Sequence, residues 1–298
     1  MSLTNLHLDL AALLPAQSRL AGASRRTALK LALGVGYAAS AGPLVAQTAI
    51  RTASEGLATG ETSYEVAGFK VPVFFAAPAG KTNLPVVLVI HEAFGVHEYI
   101  ADICRRFARA GYLALAPELF ARQGEPSDYG EMAKLFAEVI SKVSDAQVLA
   151  DLDGAARWAG SHGGDLARLG VTGFCMGGRW TWLYAAHAPV RAAVAWYGRL
   201  VGEKNAMQPL HPLDLAARMR APVLGLYGEK DSGIPLESVA AMKAALLAGN
   251  PLSKAAELVV YPETGHAFHA DYRATYSQRP AEDGWQRCLA WFKNHGVA

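Results

Sequence analysis

The chain alternates short apolar runs with longer stretches of helical periodicity, and that alternation predicts its elements before any single residue is weighed. Leu84-Pro85-Val86-Val87-Leu88-Val89-Ile90, Gly111-Tyr112-Leu113-Ala114-Leu115-Ala116 and Leu169-Gly170-Val171-Thr172 are too short for helices and nearly free of polar side chains. So are Ala192-Ala193-Val194-Ala195-Trp196, Pro222-Val223-Leu224-Gly225-Leu226-Tyr227 and Ala256-Glu257-Leu258-Val259-Val260-Tyr261. Runs of this kind read as strands covered on both faces. Residues 99–110, 144–161, 236–248 and 281–294 read as helices between and after them. Strand and helix in alternation give a parallel sheet with helices on both faces. Residues 62–67 and 69–76, with Ala67-Gly68 between them, predict a hairpin on one edge. No repeat or linker divides residues 51–298, which are expected to form one α/β domain; 52% hydrophobic residues in a 298-residue chain suffice for one large core.

Three of the predicted strands run into candidate chemistry. Gly173-Phe174-Cys175-Met176-Gly177-Gly178 sets a thiol between glycines where a strand gives way to a helix, the form of a nucleophile elbow with Cys in place of the usual Ser. The flanking segments of such a turn approach closely, so residues without side chains are needed beside it. The bland reading is a buried structural Cys after a core strand. A nucleophile needs a base and the base an orienting acid. The strand at 222–227 opens into Gly228-Glu229-Lys230-Asp231, and the strand at 256–261 into Pro262-Glu263-Thr264-Gly265-His266. The order nucleophile, acid, His is that of α/β-hydrolases, in which parallel strands deliver all three to one sheet edge. A fourth strand, 84–90, ends in His91-Glu92-Ala93-Phe94-Gly95 at the same edge, where a backbone N–H can serve an oxyanion.

With these four motifs the sequence resembles the dienelactone hydrolase family from about residue 60 to the C-terminus. Its members share a Gly-x-Cys-x-Gly-Gly elbow, a Gly-x-x-Asp loop, a Gly-His element and a glutamate after an early strand, and Cys175, Asp231, His266 and Glu92 stand in those places. The resemblance implies an α/β-hydrolase fold, no cofactor, and a small-molecule ester or lactone as substrate. It also implies a resting thiol bonded to the glutamate, which draws off the proton when substrate binds. Carried over, Cys175 attacks the carbonyl to give a thioester acyl-enzyme and Glu92 accepts the proton. His266, held by Asp231, then activates water, and the N–H groups of Ala93 and Met176 form the oxyanion hole. The plainer alternative has His266 activating the thiol directly. A thioesterase, another carboxylic-ester hydrolase, a peptidase-like enzyme or a non-catalytic binding protein on the same scaffold are the competing readings. The family's namesake holds its substrate carboxylate with arginines, one of them four residues after the catalytic His; that position here is Ala270. Arg122, Arg179, Arg199 and Arg273 are the other candidates, each expected at the surface as arginines commonly are. Trp180, Trp182, Trp196 and Tyr197 either line an apolar pocket or pack as core.

The N-terminus reads separately. Ser24-Arg25-Arg26-Thr27-Ala28-Leu29-Lys30 precedes a mildly apolar Gly/Ala-rich run, 31–41, too short to span a membrane. Residues 1–50 are therefore expected to be a twin-arginine export leader, with Ala28 where Phe is usual and cleavage between Ala41 and Ala49. That places the mature enzyme in the periplasm, without stable membrane insertion; a basic tail on a cytoplasmic enzyme is the alternative. Four Lys/Arg against one Asp give the leader +3 and leave −1 of the formal +2 for residues 51–298, so no nucleic-acid partner is indicated.

Other patterns carry less. Gly34-Val35-Gly36-Tyr37-Ala38-Ala39 loosely matches a dinucleotide fingerprint but follows no strand. His91-Glu92 lacks the second His of a zinc-protease helix, since position 95 is Gly. His91, His97, His266 and His269 lie on separate segments without the short spacing of a metal site, so no metal is expected. Cys104 and Cys288 fall in predicted helices and are expected to stay unpaired.

Overall fold

The computed structural model describes residues 49–298, and the expected leader lies outside the described residues apart from its last two positions. One eight-stranded sheet runs through the described chain in the order β1-β2-β4-β3-β5-β6-β7-β8. Its strands are β1 Leu57–Val66, β2 Phe69–Pro78, β3 Leu84–Ile90, β4 Leu113–Pro117, β5 Gly164–Phe174, β6 Ala192–Trp196, β7 Val223–Gly228 and β8 Glu257–Tyr261. The first two form the antiparallel hairpin, and β2 pairs antiparallel with β4; every other pairing is parallel. This is the α/β-hydrolase architecture the sequence predicts. Strands β4, β6 and β7 are buried at every position and β3 at all but its first. A sheet buries both sets of side chains only when helices cover both faces.

The long helices are α1 Glu98–Arg109, α2 Met132–Glu138, α3 Asp145–Ser161, α4 Met176–His187, α6 Leu236–Leu247 and α8 Gln278–Asn294, with one-turn helices α5 Pro212–Leu215 and α7 Pro251–Lys254. Helix α3 starts where Ser144 Oγ accepts the Gln147 N–H at 3.1 Å, a Ser N-cap. Helix α8 begins three residues before its predicted start, because Pro280 falls in the first turn, where a missing N–H costs nothing.

Two strands are longer than their apolar runs. β1 starts at Leu57 because its exposed edge face needs no hydrophobic residues, and it turns through Ala67 and Gly68 at φ 50° and 78°. β5 starts at Gly164 and passes an irregularity at Pro85/Val86, beside which Asp165 and Arg168 pair at the surface. The helix α2 and the one-turn helices lie in segments whose apolar pattern is too short to signal them.

Packing of helix α3 against α4 buries charge as well as apolar surface. Arg179 forks both its amino groups onto Asp145 at 2.6 and 2.8 Å, and Trp180 Nε1 donates to the same carboxylate at 2.9 Å. All three side chains are buried. Asp145→Ala leaves the guanidinium buried without its partner and is expected to cost about 3–5 kcal/mol in urea unfolding, whereas Arg168→Ala, which breaks the half-exposed pair with Asp165, is expected to cost under about 1 kcal/mol.

Candidate active site

The C-terminal ends of β3, β5, β6, β7 and β8 meet at one edge, and each hands over a site residue within a few positions of its last strand residue. Cys175 follows β5 directly and takes φ 56°, ψ −114° as the cap of α4. A side chain in that left-handed region is strained, and such strain persists only where surrounding packing imposes it. The glycines show the packing. A Cβ on Gly177 would stand 2.3 Å from Ile90 O, and one on Gly178 would stand 2.4 Å from Trp196 O. A Cβ on Gly198 would stand 2.2 Å from the Gly178 carbonyl carbon. Backbone thus rests on backbone between the elbow and the ends of β3 and β6, and Cys175 N–H donates to Trp196 O at 3.0 Å.

The elbow points the thiol at the residue expected to serve as base. Cys175 Sγ lies 3.2 Å from His266 Nε2, and His266 Nδ1 lies 2.7 Å from Asp231 Oδ2. Asp231 is buried, and its other oxygen accepts the Gly233 N–H at 3.0 Å. Burial works against a charge on His266, but the charges of Cys175 and Asp231 and their hydrogen bonds outweigh it and hold the imidazole well above its ordinary value. The 3.2 Å contact puts Nε2 within reach of the thiol proton. Met176 opens α4, so its N–H is one of those a helix cannot satisfy internally; Ala93 is buried just past β3.

Glu92 is in the site but not where the resemblance implies. Among the described residues the hydrogen bond recorded for Cys175 Sγ goes to His266. The Glu92 carboxylate instead accepts from Tyr272 Oη at 2.8 Å, faces His97 Nε2 at 3.3 Å and lies 3.6 Å from Arg273. Burial raises the carboxyl's pKa, yet Arg273, His97 and Tyr272 together lower it from 4.5 to about 2. A carboxylate so well supplied with donors is a weak proton acceptor.

The arginines separate cleanly. Arg122 is bound to Asp151 at 2.5 and 2.8 Å and Arg179 to Asp145, so both are fold-holding ion pairs; Arg199 is half-buried. The surface expectation fails for Arg179 and Arg273, both buried, because each has a buried carboxylate to meet. Arg273 lies over the rings of Phe94 and Tyr272, 4.8 and 4.9 Å from their centroids. Trp180, Trp182, Trp196 and Tyr197 are core, not pocket lining. The four histidines go to separate partners. His91 reaches Glu118, His97 reaches Glu92, His266 bridges Asp231 and Cys175, and His269 Nδ1 lies 2.6 Å from Tyr99 Oη. No set of His, Cys, Asp and Glu among the described residues is placed to hold a metal. Cys104 and Cys288 are buried free thiols. Sequence reasoning missed His97 and Tyr272 as partners of Glu92, and the only signal was their nearness in sequence to Glu92 and His266.

Strand order, elbow and site together define an α/β-hydrolase-fold protein, and comparison with known proteins narrows the class. The dienelactone hydrolase family profile matches residues 71–296, and the chain belongs to that family. A "Putative carboxymethylenebutenolidase" of Methylorubrum extorquens is 52% identical over 277 residues, covering 92% of this chain and 94% of that protein. One of the same name from Escherichia coli K12 is 52% identical over 263 residues, 88% of this chain and 96% of the relative. A crystal structure of a "Putative Dienelactone Hydrolase" from Klebsiella pneumoniae superposes with a TM-score of 0.76 at 56% identity, covering 80% of this chain and 98% of that one. The membership supports hydrolysis of an ester or lactone.

The buried carboxylate carries a pH signature. Glu92 binds its proton more weakly folded than unfolded, so its stabilisation is complete above about pH 4.5 and is lost as pH falls towards 2. The stability gap between wild type and Glu92→Gln, read from urea unfolding at pH 6 and pH 3, is expected to narrow by about 2 kcal/mol at the lower pH.

Proposed function

We propose that this protein hydrolyses a small carboxylic ester or lactone through a thioester on Cys175, with His266 and Asp231 completing a triad. The observation that carries the reading is the continuous line from the strained Cys175 through His266 to buried Asp231, at 3.2 and 2.7 Å. The thiolate attacks the carbonyl carbon while the C=O electron pair moves onto oxygen, where the Met176 and Ala93 N–H groups receive it. Collapse breaks the C–O bond, and the leaving alkoxide takes the proton from His266 Nε2. In a lactone that oxygen stays attached as a hydroxyl.

Acylation prepares the second half. The Cys175 charge is the first of the attractions that raise His266, and the thioester removes it. The imidazole is then neutral, takes a proton from water and drives hydroxide onto the thioester; collapse returns the thiolate and releases the acid. Glu92, in this reading, holds Arg273, Tyr272 and His97 in place and is not the thiol's proton acceptor. The names of relatives favour a lactone carrying a carboxylate. Beside the carboxymethylenebutenolidases, a Bradyrhizobium relative, 32% identical over 74% of this chain and 88% of its own length, is named "Probable 2-oxo-3-(5-oxofuran-2-ylidene)propanoate lactonase".

Cys175→Ala is expected to lower kcat by three orders of magnitude or more on a panel of p-nitrophenyl esters, lactones and thioesters, and Asp231→Asn by about two or more. Cys104→Ala and Cys288→Ala keep turnover. Because His266 Nε2 lies against Sγ, iodoacetamide should alkylate Cys175 at pH 7 at least tenfold faster in the wild type than in His266→Ala. Slow alkylation at pH 7 that Glu92→Gln accelerates would instead return the proton-acceptor role to Glu92.

We infer further that residues 1–50 direct export to the periplasm by the twin-arginine route, a reading supported by Arg25-Arg26 and the weakly apolar run after them. Arg25→Lys with Arg26→Lys is expected to retain the precursor in the cytoplasm in a fractionation assay; undiminished periplasmic recovery contradicts it.

A further inference from the structure

Tyr197 follows β6 and departs from ordinary backbone geometry, with φ 38°. A β-region angle would be free of cost for tyrosine, and an aromatic residue in the left-handed region is an outlier that points to a job. Its neighbours fix the elbow. Trp196 O accepts the Cys175 N–H at 3.0 Å, and Gly198 lies against the Gly178 backbone. Tyr197 N–H itself donates to Leu226 O at 2.8 Å, tying the turn to β7.

The ring is lodged between the two halves of the site. Its centroid is 6.2 Å from the ring of Phe174, the residue before Cys175. On the other side it meets His266 in an edge-to-face arrangement at 5.1 Å and Phe268, on the same loop as His266, at 5.3 Å. That loop, residues 262–277, contains neither helix nor strand, so the imidazole depends on packing for its position. The side chain is wholly buried, and its hydroxyl lies toward Tyr99.

We propose that Tyr197 is a positioning residue whose strained backbone wedges its ring between the elbow and the His266 loop, setting the distance between Cys175 and His266. The ring acts through His266. Burial, then the nearby charge of Glu92, pushes the phenol well above its ordinary value, so it stays neutral and contributes shape, not charge. The inference rests on the triad reading above, and it concerns which residue holds that triad in register.

Three variants test it. Tyr197→Phe keeps the ring and removes only the hydroxyl, so kcat is expected within about threefold of wild type. Tyr197→Leu removes the wedge, and kcat is expected to fall tenfold or more with KM within twofold. Tyr197→Met, flexible and of similar reach, replaces Leu should that variant unfold. The second readout does not need a substrate. In the Leu or Met variant alkylation of Cys175 by iodoacetamide at pH 7 should slow threefold or more, because Sγ loses its well-placed imidazole. Wild-type kcat together with an unchanged alkylation rate in the ring-less variant overturns the proposal. A Phe variant as impaired as the Leu variant also overturns it, since the hydroxyl would then be the active part. An inactive wild type on every ester, lactone and thioester would count against the hydrolase reading, and the alkylation rate would still decide the role of Tyr197.

Discussion

Backbone packed directly on backbone at the elbow is the constraint on which the rest of the structure depends. Cys175 holds a left-handed φ only because α4 sits tight against the ends of β3 and β6, and that approach leaves no room for a Cβ at Gly177, Gly178 or Gly198. Parallel pairing of β3, β5 and β6 brings those ends level, so the fold's topology and the strain at one cysteine are two aspects of one arrangement. Relieving the strain would swing Sγ away from His266, and the 3.2 Å contact could not survive it.

Charges around the elbow divide into two sets with different work. Asp231, His266 and Cys175 form a line in which the two outer groups favour the charged form of the imidazole between them. Glu92, Arg273, Tyr272 and His97 form a closed cluster whose carboxylate is already satisfied. Arg273, His97 and Tyr272 hold the Glu92 carboxylate near pKa 2, while Cys175 and Asp231 hold the histidine high. Placing a permanently ionised carboxylate beside a buried guanidinium also fixes Arg273 inside the site, where a surface arginine would be free to turn to solvent.

Much of this was legible in the sequence because the elements are strongly patterned. The apolar runs at 84–90, 192–196 and 222–227 match β3, β6 and β7 closely, and the elbow, Asp231 and His266 fall at strand ends as their order requires. The misses share a physical cause. β1 and the first half of β5 lie where one face is exposed, so hydrophobicity does not mark them. Glu92's partners come from α1's approach and from the 262–277 loop, and pairing across such distances leaves no local pattern. Nor does composition reveal that Arg179 and Arg273 are buried, because that follows from a carboxylate meeting each of them in space. Tyr197 gave no sign beyond its aromatic character; its φ is a property of the packed chain.

The central claim is that Cys175 carries the acyl group and His266 releases it. Mass spectrometry of intact His266→Ala after brief exposure to a p-nitrophenyl ester tests both halves at once, since acylation by an activated ester demands little of the base while deacylation needs it. The account predicts a stable mass increase equal to the acyl group, mapping to Cys175 on digestion and absent from Cys175→Ala. A variant that turns over ester at the wild-type rate, or an adduct that forms equally without Cys175, would contradict it.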